Sequence, residues 1–361
     1  MKANDIAAWL SLVMVVLCLN GNAALAAAPT AVPRSKPPAG SRARQSRSSS
    51  SGARPSAAPR LETLAQLRAE AAQGNAKAQA EIAADYFRGI LVPRNDTKAA
   101  YWYREAAAQG FAPAEYALGM LYARGQGVPR NYRKAAEGYG QAAAQGNAAA
   151  EEQLGVLYLA GHGVAQNDVR ANYWFRRSAA QGDILAQSAL GLAYLFGHGV
   201  SPDRARALVW FRKAALAGYG RAQVMVGDLY WDSHDYVKAV HWYEVSAKTG
   251  AANGMYHLGQ ACQLGHGMPR SHAQALYWFR RSAIDGSHRG QLILGLNYAA
   301  GTGVKRNYSV AFVWAALSAE RPDPVQYAPQ VAKALASHLT RAQIKSDMQI
   351  IRSWKVGQDI K

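Results

Sequence analysis

Cysteine is nearly absent: Cys18 and Cys262 are the only two in 361 residues. That excludes a disulfide framework and any zinc site built on spaced cysteine pairs. Acidic residues are scarce too, 23 against 41 lysines and arginines, for a net charge of +18. The carboxylates are scattered and form no acid/base pair. Neither Gly-x-Ser-x-Gly nor His-Glu-x-x-His occurs. The apolar segment Ile6 to Leu19 has 14 residues, short of the ~20 that a membrane-spanning helix needs.

Glycine, by contrast, is abundant, and it is ordered. Gly74, Gly110, Gly146, Gly182, Gly218, Gly250 and Gly286 follow one another at spacings of 36, 36, 36, 36, 32 and 36 residues. Of 33 glycines, 24 fall in four columns of this repeat. Each copy opens with a Leu-Gly pair or its equivalent: Ile82-Ala83, Leu118-Gly119, Leu154-Gly155, Leu190-Gly191, Val226-Gly227, Leu258-Gly259 and Leu294-Gly295. An aromatic follows at Tyr86, Tyr122, Tyr158, Tyr194, Tyr230 and Tyr298, and Cys262 takes that place in the sixth copy. A tryptophan column (Trp102, Trp174, Trp210, Trp242, Trp278, Trp314) marks the second half of each copy except the second, which has Gly138.

Each copy holds two helical patterns. Ala114, Leu118, Leu121 and Tyr122 form one apolar stripe, as an amphipathic helix requires. The Gly-x-Gly-Val turn ends that helix, with glycine supplying the left-handed residue. Asn95, Asn131, Asn167, Asp203, Ser271 and Asn307 stand where the second helix needs an N-cap. No copy buries its stripe alone, so neighbours must stack. The tryptophan column and Cys262 are expected in the core.

The pattern L-G-x-x-Y, G-x-G-V, K-A…W-Y/F…A-A…G over Leu61 to Glu320 resembles the Sel1-like repeat, a relative of the tetratricopeptide repeat. The resemblance implies an all-α, right-handed superhelical solenoid. It also implies a protein-binding scaffold or adaptor, often of the bacterial envelope, with no catalysis and no cofactor.

The ends read differently. Lys2, the apolar segment and Ala24-Leu25-Ala26 fit a secretory signal over residues 1–26. An uncleaved anchor is the alternative, and with it the one expected membrane contact. The expected location is the periplasm. Residues 27–60 read as a basic, disordered linker: from Pro29 on they carry seven cations and no acid. Residues 61–74 read as a capping helix, 75–320 as seven repeats, and 321–361 as C-terminal caps. The latter begin at the break Arg321-Pro322-Asp323-Pro324 and include a capping box from Thr340 to Gln343.

Function is expected on surface positions that depart from the consensus. On first helices these are Tyr116, Met120, Arg124, Leu192, Asp228, Trp231, Tyr256 and Gln260, with exposed aromatics as anchors. The fifth copy lacks four residues and reads Trp231-Asp232-Ser233-His234-Asp235-Tyr236 where others have Gly-x-Gly-Val. Arg176-Arg177, Arg212-Lys213 and Arg280-Arg281 form a basic column, a solvated face or a stripe for an anionic partner. A protein is the expected partner. An anionic glycan, cell-wall ligand or lipid surface on the stripe is the alternative, and a cell-wall or antibiotic hydrolase a further one. Nucleic acid is disfavoured by export and by the lack of a binding motif. The Gly-His-Gly turns at His162, His198 and His266 are expected as turn filler, because equivalent positions about 8–10 Å apart do not converge on one metal.

Overall fold

The computed structural model describes residues 57–320 and 327–360. The expected signal, nearly all of the expected linker, and the Arg321–Pro324 break lie outside the described residues. Among them there are only helices, packed consecutively as an all-α repeat solenoid. In chain order these are α1 (Ala57–Ala72), α2 (Ala76–Arg88), α3 (Asp96–Ala108), α4 (Ala112–Arg124), α5 (Tyr132–Ala144), α6 (Ala148–Ala160), α7 (Asp168–Ala180), α8 (Ile184–Phe196) and α9 (Arg204–Leu216). Then follow α10 (Gly220–Asp232), α11 (Tyr236–Lys248), α12 (Ala252–Leu264), α13 (His272–Ile284), α14 (His288–Ala300), α15 (Tyr308–Ala319), α16 (Ala328–Ala336) and α17 (Arg341–Ser353). The first helix begins at Ala57 rather than at Leu61. Two compact units divide the chain, one ending at Trp210 and the other beginning at Phe211.

Local chemistry sets the helix ends. Asn95, Asn131, Asn167 and Asn307 each accept a backbone hydrogen bond from inside the first turn of the second helix, as do Asp203 and Ser271. Each such cap contributes about 1 kcal/mol. The first glycine of the turn is left-handed, as at Gly125 (φ 68°). The second has a different task. Gly127 lies so close to the Asp96 carbonyl and the Thr97 amide that a β-carbon does not fit. The turn of one copy thereby docks on the start of the second helix of the copy before. Thr340 and Gln343 form both halves of a capping box at the start of α17.

The glycine beside each leucine makes room for an aromatic ring. A β-carbon on Gly155 would lie 2.7 Å from Phe175 Cε1, and one on Gly119 2.8 Å from Tyr139 Cδ1. Gly227 meets Tyr243 and Gly259 meets Phe279 in the same way. These rings are the deep core: Tyr139, Phe175, Phe211, Tyr243 and Phe279 are all fully or almost fully buried. Each contributes on the order of 2–3 kcal/mol by its burial. The tryptophans one residue earlier are not the deep core. Trp102, Trp174, Trp210 and Trp278 are half-buried at its edge, and only Trp242 and Trp314 are buried. Adjacent helical residues point about 100° apart, which leaves the tryptophan at the edge in most copies, although Trp242 and Tyr243 are both buried in the fifth.

A second column was not anticipated. Lys98, Lys134, Arg170, Arg206 and Lys238 lie over the rings of Tyr86, Tyr122, Tyr158, Tyr194 and Tyr230, at 5.3–5.7 Å from the centroids. Such cation–π contacts join the two helices of a copy from outside, at about 0.5–1 kcal/mol each where exposed. In the sixth copy both partners change together. Cys262 is buried, with Sγ 3.3 Å from Met268 Sδ and 3.9 Å from the Gln274 side chain.

Candidate functional site

The consensus-breaking positions on first helices fall into two groups, one in each unit. In the unit ending at Trp210, Met120 is half-buried while Val156 and Leu192, its equivalents in the next copies, are exposed. Tyr116 packs on Tyr139 with ring centroids 5.7 Å apart, and Arg124 is exposed. Glu152, one copy on from Tyr116, is buried and accepts a 2.6 Å hydrogen bond from Gln153 Nε2. Burial pushes its pKa up to about 7, against the Gln153 bond, which lowers it. It is the one ionisable carboxyl in a column that otherwise holds Tyr116, Ser188, Val224, Tyr256 and Leu292.

In the unit beginning at Phe211 the same columns carry a polar aromatic cluster. Its origin is the shortened turn of the fifth copy. Without the two glycines, His234 takes the left-handed conformation (φ 64°) and bonds through Nδ1 to the Tyr236 hydroxyl at 2.8 Å. Tyr236 stacks on His266 of the next turn, centroids 4.2 Å apart. Trp231 closes over both: it meets Tyr236 edge-on at 5.0 Å and lies 5.3 Å from His266. One helical turn back, Asp228 accepts a 2.8 Å hydrogen bond from the Tyr243 hydroxyl and lies 3.6 Å from His257 Nε2. His257 is stacked on Tyr243, with centroids 4.7 Å apart and planes 14° apart.

The electrostatics of this cluster are set by desolvation. Burial lowers the His257 pKa, and Asp228 beside it only partly restores it. Burial also raises the Tyr243 pKa, and the Asp228 charge raises it further. Tyr243 therefore stays a donor and holds the carboxylate. Asp228 and Trp231 remain half-buried, each presenting one edge to solvent. The arrangement offers a fixed carboxylate beside aromatic edges, which suits recognition of another surface.

Two expected surface residues are not at the surface. Tyr256 is 4% exposed and packs against Phe279, and Gln260 is 7% exposed. The basic column is also not uniform. Arg177 pairs with the fully buried Glu151 at 2.8 Å. Arg280 grips Asp359, and Arg281 donates to the Tyr277 hydroxyl at 3.2 Å. Arg177 and Arg280 therefore serve the fold. Arg176, Arg212 and Lys213 are exposed.

The turn histidines do more than fill. His162 stacks on Tyr132 at 4.7 Å, and His198 lies 3.8 Å from Asp168, each touching the first residue of a second helix in the preceding copy. His266 does the same on Tyr236. The sequence signal was available: Tyr132, Tyr236 and Asp168 all open second helices one copy before a turn histidine.

The model of a family described as the Sel1 repeat matches residues 76–111, 112–147, 148–183, 184–219, 220–250, 252–287 and 288–323. Among solved structures, the chain is similar to a Sel1 repeat protein from Oxalobacter formigenes at 28% identity, with 68% of this chain and 99% of that one covered and a TM-score of 0.62. It is also similar to a protective antigen of uropathogenic Escherichia coli displaying an SLR fold, at 26% identity, with 81% and 78% covered and a TM-score of 0.39. None of the curated proteins compared with the chain matches it.

Proposed function

The chain belongs to the Sel1-repeat family, whose members are generally protein-interaction scaffolds, and on that premise we propose that it is a non-catalytic scaffold of the bacterial envelope. It binds a protein partner on the first-helix face of the fifth copy. One observation carries this reading: the repeat departs from its packing consensus there and yields a fixed, half-exposed cluster of Asp228 and Trp231 on His257, Tyr243, Tyr236 and His266. In the Asp228 column the other copies hold Met120, Val156, Leu192, Gln260 and Leu296, and none of them carries a charge. Rigid aromatics next to a held charge are what interface anchors consist of. The exposed apolar column Val156 and Leu192 supports further contact with a partner. Envelope residence is supported by Lys2, the apolar Ile6–Leu19 segment and Ala24-Leu25-Ala26.

The test is affinity capture from the native envelope with the intact chain and with Trp231→Ala. The expected result is one stoichiometric protein that the variant loses while keeping its melting temperature within a few degrees. Recovery of polysaccharide alone, released by salt and equal for both chains, would overturn the reading.

A further inference from the structure

The C-terminal segment folds back on the protein's own surface through a turn in which the Gln358 amide donates to the Lys355 carbonyl at 3.0 Å. Beyond α17, the Trp354 indole donates to the Gln358 carbonyl at 3.0 Å and its ring meets Trp314 edge-on at 6.0 Å. The Gly357 amide donates to the Ile284 carbonyl at the end of α13 at 2.7 Å. Arg280 holds the Asp359 carboxylate with two of its nitrogens, and Ile360 is buried in the adjacent core. Arg280 is also within electrostatic reach of Tyr298. The chain thus shows an Asp-Ile pair seated by an arginine of a second helix, near the tyrosine of the next first helix and the tryptophan of the next second helix.

The repeat reproduces that constellation within the same unit. Arg212 on α9 stands in register with Arg280, Tyr230 on α10 with Tyr298, and Trp242 on α11 with Trp314. Here no described segment covers them. Arg212, Tyr230, Val237, Lys238, His241 and Trp242 instead line a groove of about 700 Å³. Val237 is 70% exposed along it. Arg212 makes no ion pair with any described residue, and its charge acts against that of Lys238, whose ammonium is held by Asp235 at 2.6 Å. The copy around α15 has Val310 where this groove has Lys238, so the open groove is the more cationic of the two.

We propose that the groove between α9 and α11 binds an acidic peptide of a protein partner, with an Asp or Glu carboxylate on Arg212 and a following aliphatic residue beside Val237 and Trp242, as Asp359 and Ile360 are seated at Arg280. Lys238 and His241 favour a second acidic residue nearby. The proposal rests on the protein-binding reading only for the class of its ligand. The Asp228 cluster takes no part in it.

The test uses a labelled peptide, Trp-Lys-Val-Gly-Gln-Asp-Ile, which is the sequence of residues 354–360. Binding to the full chain is measured by fluorescence anisotropy, with a second peptide carrying Asn in place of Asp. The Asp peptide is expected to bind, and Arg212→Ala or the Asn peptide to weaken binding about tenfold or more, the worth of a charge-assisted bond. Arg280→Ala is expected to leave it within about twofold. No binding, equal binding by Arg212→Ala, or loss confined to Arg280→Ala would each overturn the proposal. So would a sulfated oligosaccharide that displaces the Asp peptide at lower concentration than unlabelled Asp peptide does, because it would assign the groove to a glycan. Envelope capture can fail while this peptide binds, and the reverse, so the two readings are separable.

Discussion

In the third copy, residues 148–183, the turn carries Gly161 and Gly163, and Gly163 rests against the backbone of Tyr132 and Arg133. In the fifth, residues 220–250, the turn is four residues shorter and a histidine holds the left-handed position. Val156 of the third copy points an aliphatic side chain at solvent. Its equivalent in the fifth, Asp228, is fastened to Tyr243 and faces His257. Both copies keep the glycine under the core ring, Gly155 under Phe175 and Gly227 under Tyr243. Packing that closes the helix pair is therefore retained, while the turn and the outward face vary.

That contrast can be broken at graded cost. Gly163→Ala should be the most damaging change, because it meets both a φ of +72° and the Tyr132 backbone. A loss of about 3 kcal/mol or more is expected in chemical denaturation. Glu152→Gln should act in the opposite direction. The folded chain retains a proton at Glu152 up to about pH 7 that the unfolded chain releases near the ordinary value of 4.5. Stability is then full at the acid end and falls as pH rises between those values. The variant escapes that loss, so it should be more stable than the parent by roughly 3 kcal/mol at pH 8 and nearly equal at pH 4.5. Melts at the two pH values check the sign.

Smaller changes sharpen the fifth copy. Tyr243→Phe removes the hydroxyl that holds Asp228 and should cost about 1 kcal/mol. It should also shift the His257 ring resonances in NMR, since those rings stack. His234→Gly should add about 0.5–1 kcal/mol of stability, because glycine adopts the left-handed conformation without strain. It should weaken partner capture by freeing Tyr236, which bonds His234 in the parent.

What the sequence disclosed was whatever is decided locally. The N-cap asparagines and the left-handed turn glycines follow from one or two neighbouring residues, and the repeat period multiplies each signal. Depth was harder to read. Trp174 and Phe175 are adjacent aromatics, and only the position of Gly155 on the facing helix shows that Phe175 is the one inside. Tyr256 looked like an anchor because it is an aromatic on the first-helix face, yet Phe279 lies against it. Contacts between copies, such as His266 on Tyr236, need the stacking itself. The grip of Arg280 on Asp359 joins residues 79 apart and left no periodic trace.

The most direct test replaces Trp231–Asp235 by the regular segment found at Ala123–Asn131, which restores Gly-x-Gly-Val to the fifth copy. If the departure from the repeat is where the partner binds, the regularised chain should fold with equal or higher stability and capture no partner. Capture at the parent's stoichiometry by a folded, regularised chain would contradict the account.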